Sequence, residues 1–178
     1  IRRRFFITIL CCAAGCGVRE PQWRTYEEIT ADTATPTSGP SWTMPSGWIE
    51  EPATGMRLAT FNVARDGATA TCTLVQLAGA GGGLEANVRR WIGQLGIEQP
   101  AEEQLADFLE RQERIGEGGV VVDLTELTDP SGQAPSLLAA MIPIGDATLF
   151  LKFAGPRALL LAEQGAFLEL CRSVRGEP

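Results

Sequence analysis

Residues 56–77 read MRLATFNVARDGATATCTLVQL, and the pattern on either side of Asp66-Gly67 decides the fold. Apolar and small polar residues alternate before and after this dipeptide. Asp-Gly between two alternating runs is a strong hairpin signal, because a two-residue turn needs positive φ angles that these residues tolerate. Alternation also assigns faces. Ala59, Phe61 and Val63 share one side of the first strand, and Ala70, Cys72 and Leu74 share one side of the second. The sheet therefore begins antiparallel.

Working outward, the glycine-rich AGAGGG at 78–83 ends the hairpin. Leu84, Val88, Trp91, Ile92 and Leu95 then recur at helical spacing, and Gly96 stops that helix. Gln99-Pro100-Ala101-Glu102-Glu103 reads as a second helix start, with proline and early acids. The pattern changes from helix towards strand near Phe108. Val120 to Leu127 reads as a β-branched strand. LLAAMIPI (137–144) and ATLFLKF (147–153) are two more, joined by Gly145-Asp146. Gly155-Pro156 opens a final helix over Arg157 to Val174, with Phe167, Leu170, Cys171 and Val174 as its apolar stripe. Upstream, WTMPSGW (42–48) holds a turn between two tryptophans, where the folded domain is expected to begin. Short turns between successive strands predict an α+β domain: a mostly antiparallel sheet of about six to seven strands with helices packed on its faces.

The chain of 178 residues fits one domain with a sizeable core. The segment ahead of it reads differently. Arg2, Arg3 and Arg4 precede an apolar run from Phe5 to Ala14, then Gly15 and Cys16. A cationic start, roughly 7–15 apolar residues and small residues at a cut site describe an export signal. Ten helical residues span about 15 Å, half a bilayer core, so the run is too short for a permanent span. Ala13-Ala14-Gly15-Cys16 resembles the lipobox of bacterial lipoproteins, usually Leu-Ala-Gly-Cys, with Ala13 in the leucine place. The resemblance implies cleavage before Cys16 and lipid on its sulfur and new amine. An ordinary signal peptide is the alternative, and Arg2-Arg3-Arg4-Phe5-Phe6 loosely resembles a twin-arginine export signal. Cys11, Cys12 and Cys16 as a metal cluster lack any histidine to complete it. The organisation expected is a signal peptide over 1–15, a lipidated N-terminus and flexible tether over 16–41, and one domain over 42–178. The tether is rich in Thr, Pro, Ser, Ala and Glu, with Trp23 and Tyr26 as its aromatic exceptions. About 25 such residues give an end-to-end distance on the order of 25–30 Å. The chain begins with Ile1, so its true start is open.

Charge narrows the partners. The 15 basic residues are 14 arginines and Lys152, against 22 acids. Removing Arg2–Arg4 leaves 12 basic residues and a net charge of −10. Such a surface repels phosphate backbones and anionic lipid, which argues against nucleic acid as a partner. The absence of histidine removes the commonest general base and metal ligand. The sequence points to no cofactor and no metal.

Four phrases carry a wider likeness: SGWIEEPATGMRLATFNV, NVRRWIGQLG, VVDLTE and LFLKFAGPRALLLAEQGAFLELCRSV. They resemble a group of bacterial lipoproteins whose domain is similar to the PsbP-like fold, an antiparallel sheet sandwiched by helices. The likeness runs from about Trp48 to Val174. It implies a fold and an exported location and carries no activity. PsbP-like domains are mostly accessory or assembly proteins, which by analogy favours a non-catalytic role.

Candidate sites are few. Asn87, Arg90, Trp91 and Gln94 share a helix face, where a ligand groove competes with a core anchor flanked by helix-edge hydrogen bonds. Lys152 and Asp123 each sit inside an apolar strand and are candidates for a partly buried ion pair, and Lys152 for a lysine of depressed pKa. Gly79–Gly83 before a helix can cradle phosphate, but the context is antiparallel and no lysine follows, so it reads as helix entry. Cys72 and Cys171 are candidates for a disulfide in an exported domain, or for two buried thiols. The expectation is a membrane-anchored, non-catalytic binding or assembly module of the cell envelope, facing the periplasm or exterior, its protein partner unspecified. A small-ligand binder or enzyme using the Asn87, Arg90, Trp91 and Gln94 face together with Lys152, and a passive structural envelope protein, are the alternatives.

Overall fold

The computed structural model describes residues 39–131 and 133–176. The expected export signal, Cys16, Trp23, Tyr26 and most of the expected tether lie outside them.

The Asp66-Gly67 hairpin forms as its sequence dictates. Strand β2 (Arg57–Arg65) pairs antiparallel with β3 (Ala68–Ala78). Asp66 has φ 51° and Gly67 φ 79°, the doubly left-handed turn that matches strand twist. Phe61 faces Cys72 and Val63 faces Ala70, all buried. A short edge strand, β1 (Ile49–Glu51), joins β2. On the other side β3 pairs with β7 (Ala147–Pro156), which pairs with β6 (Pro135–Ile144) through the Gly145-Asp146 turn. Strands β5 (Gly119–Asp123) and β4 (Glu113–Ile115) complete a seven-stranded, wholly antiparallel sheet in the order β1-β2-β3-β7-β6-β5-β4. The α+β class expected from the sequence is the one observed.

Each face of the sheet has its own core. One holds Ala59, Phe61, Val63, Cys72, Leu74, Leu151 and Phe153 under two helices, α3 (Arg157–Ala162) and α4 (Gln164–Ser173). Aromatic rings run through it: Trp48 lies 4.7 Å from Phe153, and Phe153 stacks on Phe167 at 5.7 Å. Such pairs add about 0.5–1.5 kcal/mol each beyond their burial. The other face holds Val120, Val122, Ala139, Met141 and Phe150 under α1 (Leu84–Gln94) and α2 (Glu102–Glu110). The helix stop at Gly96 is real: its φ of 70° lets Ile97 N–H donate to the Ile92 carbonyl at 3.2 Å.

Three local expectations shift. The second helix runs two residues past Phe108, and the strand begins only at Glu113. Between them Gln112 is buried; its Nε2 donates to the Phe108 carbonyl and its Oε1 accepts from Asp123 N–H. The strand expected over Val120 to Leu127 ends at Asp123 and continues as a 3-10 turn, Leu124–Leu127. Asp123 Oδ1 accepts from Thr125 N–H at 2.8 Å and caps that turn. The final helix divides at Glu163, which has φ −101° and ψ 5°. The domain closes on itself where Ser41 and Arg175 exchange backbone hydrogen bonds of 3.0 and 2.9 Å.

Candidate functional site

The helix face singled out from sequence forms on α1. Trp91 is 2% exposed and packs in the second core with Val88, Ile92 and Phe150. Asn87 is buried, and its Nδ2 donates to the carbonyls of Gly81 and Gly83 at 2.9 and 2.7 Å. It pins the glycine loop to the start of its own helix. Arg90 donates to Asn87 Oδ1 at 2.9 Å. Lys152 Nζ donates to Gln94 Oε1 at 2.8 Å, tying β7 to α1. Burial holds Lys152 below the ordinary lysine range, and the charge of Arg90 acts the same way. The structure thus gathers all five residues at one edge of α1 and gives each polar side chain an internal partner.

The proposed Asp123–Lys152 ion pair does not form, for a reason written in the register. Lys152 lies opposite Ala139, which lies opposite Val122. Asp123 belongs to the next row, with Leu138 and Phe153. A one-residue offset on a pleated sheet places two side chains on opposite faces. Asp123 instead accepts from Gln164 Nε2 at 3.1 Å, on the α4 side.

The acid that does enter the core is Glu163, which the sequence reading passed over. It is 4% exposed. Its Oε2 accepts from Trp48 Nε1 at 2.9 Å, and its Oε1 accepts from Arg65 Nε. Burial opposes its ionisation, but the hydrogen bonds from Arg65 and Trp48 and the Arg65 charge outweigh that and hold its pKa below the ordinary glutamate value. Nothing in its local sequence, LLLAEQGAF, distinguishes it from a surface residue of a helix. The signal would have been Trp48 and Arg65, more than 90 positions away.

Cys72 and Cys171 both lie in the first core as free thiols. Burial pushes both pKa values up, and for Cys72 the neighbouring Cys171 adds to the effect. A thiol held protonated is a poor nucleophile. Among the described residues no cluster of three His, Cys, Asp or Glu side chains comes together, and no helix is long and apolar enough to cross a membrane.

A concave site lies elsewhere, where the glycine loop, the β4–β5 turn and the β6–β7 turn meet at one end of the sheet. It is a cleft of about 470 Å³. Ala80 and Leu84 border it from the glycine loop and α1; Val120, Met141 and Pro143 line it from β5 and β6. Arg114 enters from the edge strand β4, and Asp146 from the β6–β7 turn. The glycine run has a steric role here. A Cβ on Gly81 would lie 2.4 Å from Phe150 Cζ, and its φ of 58° disfavours any side chain. The loop therefore lies directly on the Phe150 ring. These residues come from three separated stretches of chain, and no single motif announces them. Neither a scan against protein-family models nor a search of curated proteins returns a match for this chain.

Proposed function

We propose that this protein is a lipid-anchored, non-catalytic binding or assembly module of a bacterial cell envelope, with the lipid on Cys16. The observation that carries the reading is the order of segments: arginines, an apolar run, Ala13-Ala14-Gly15-Cys16, a polar tether, then a domain. The resemblance to PsbP-like lipoproteins supports it, and so does the seven-stranded sheet flanked by helices. The domain's chemistry is consistent with binding. Among its buried or partly buried polar groups, Glu163, Asp123, Lys152 and Asn87 are each bonded to a neighbour within the domain. One of its concave surfaces is a largely apolar cleft. The α1 face draws less support as a ligand site, because Trp91 is packed and its polar neighbours are bonded to one another and to the loop.

Each acyl methylene buried in a bilayer contributes about 0.8 kcal/mol, and two chains suffice for stable attachment. Mass spectrometry of the protein extracted from membranes should find Cys16 as the first residue, carrying a diacylglyceryl thioether. Cys16→Ser should move the protein out of the membrane fraction. Recovery of unmodified Cys16 still joined to Gly15 would overturn the assignment.

A further inference from the structure

We propose that the cleft at the glycine-loop end of the sheet binds a small amphipathic carboxylate, its apolar body against Leu84, Val120 and Met141 and its carboxylate on Arg114. The proposal deepens the binding-module reading by assigning that module a ligand site and a ligand class.

Size comes first. About 470 Å³ lies within the range of small-molecule sites, roughly 300–1,000 Å³. The walls come next. Val120 and Met141 belong to the second core, so the floor is anchored in the sheet. Leu84 packs against that core at the start of α1. Ala80 and Pro143 continue the apolar lining. Thr148 offers no free donor, since its hydroxyl donates to the Gly79 carbonyl at 2.7 Å.

Arg114 is the cation of the cleft, and it is under-used. Its guanidinium makes one long contact, 3.4 Å to the Leu109 carbonyl, and takes part in no ion pair among the described residues. A guanidinium presents five N–H donors in a planar fork that matches a carboxylate. The sheet fixes the backbone position of Arg114, which pairs with Val120, which pairs with Met141. The cation and two apolar wall residues therefore stand in one row across three strands. Asp146 sets the polarity of the ligand. It comes from the β6–β7 turn, with β5 between β4 and β6, and it repels an anion from that side. The carboxylate goes to the β4 side and the apolar body runs inward over β5 and β6.

The test is calorimetric titration of the full chain carrying Cys16→Ser, so that no acyl group competes, with decanoate and with decanol. Decanoate should bind at one site, at least tenfold more tightly than decanol. Arg114→Gln should weaken decanoate at least tenfold and leave decanol unchanged, while Arg114→Lys should recover part of the loss. Ala80→Trp should fill the cleft and abolish both. Ala80 and Arg114 are exposed, so thermal melts of these variants should match the parent. Absence of decanoate binding, equal binding of decanol, or indifference to Arg114→Gln would overturn the assignment. None of these outcomes bears on the lipid at Cys16, which mass spectrometry reads separately.

Discussion

Glu163 is a charge inside the apolar layer beneath α3 and α4, and its cost is met by two donors from distant parts of the chain, Trp48 and Arg65. Removing one partner from such an arrangement leaves a buried polar atom unsatisfied, at about 1–3 kcal/mol. Glu163→Gln should lower stability by that amount in urea denaturation near neutral pH, and Trp48→Phe by a similar amount. The pH dependence has a definite sign. The folded-state pKa of Glu163 lies below its unfolded value, so its contribution is complete above the unfolded glutamate pKa, about 4.3. It fades as pH falls through the folded value. The gap between wild type and Glu163→Gln should therefore narrow on acidification, and a gap independent of pH would show that the charge is not what matters. At this scale sequence reading met its limit. Lys152 and Asp123 stand out because each interrupts an apolar strand, yet which face each occupies depends on a register that no single strand reveals. Glu163 does not stand out at all, because helices carry glutamates routinely.

At the scale of elements the chain is more legible. Asp66-Gly67 and Gly145-Asp146 each join two long strands, and both hairpins lie where those dipeptides place them. The stripe Phe167, Leu170, Cys171 and Val174 is buried as its spacing implies. The misread segment is VVVDLTEL, where a β-branched run suggested continued strand. Asp123 followed three residues later by Glu126 is a helix-start pattern, and the capped 3-10 turn obeys it. Asp123 Oδ1 holds Thr125 N–H while Oδ2 accepts from Gln164 at the start of α4. One side chain thus ends a strand, begins a turn and fastens a helix. Asp123→Ala should cost about 1–2 kcal/mol, in the range of a lost cap. Asp123→Asn should cost less, because it keeps an acceptor for Thr125. Hydrogen exchange should show faster exchange at Thr125 in the alanine variant than in the asparagine one. Equal protection in both would remove the capping role.

Over the described residues the domain is two apolar layers divided by one sheet, and the two thiols report on one of them. Cys72 is wholly enclosed and Cys171 is 2% exposed. Both are raised in pKa by burial, so reagent access and thiolate population are both suppressed. In native buffer, peptide-resolved alkylation of Cys72 and Cys171 should be slow and should accelerate together as denaturant unfolds the domain. Fast labelling of Cys171 alone would mean that α4 opens independently of the sheet. Failure of both to label in denaturant without reductant would mean that they are bridged in the isolated protein. The cleft belongs to this scale too. It forms only when three turns far apart in sequence meet at one end of the sheet, so composition and periodicity could not disclose it.

The clasp between Ser41 and Arg175 has a mechanical meaning. The strands behind it are long, and their ladders extend across β2, β3, β7 and β6. The clasp itself consists of two backbone hydrogen bonds. A pull arriving along the chain from its N-terminal side meets those two bonds first and loads them as a seam that peels open. With only the Thr43 N–H to Ser173 Oγ bond close behind it, this seam is expected to yield under tension before the ladders of the sheet do.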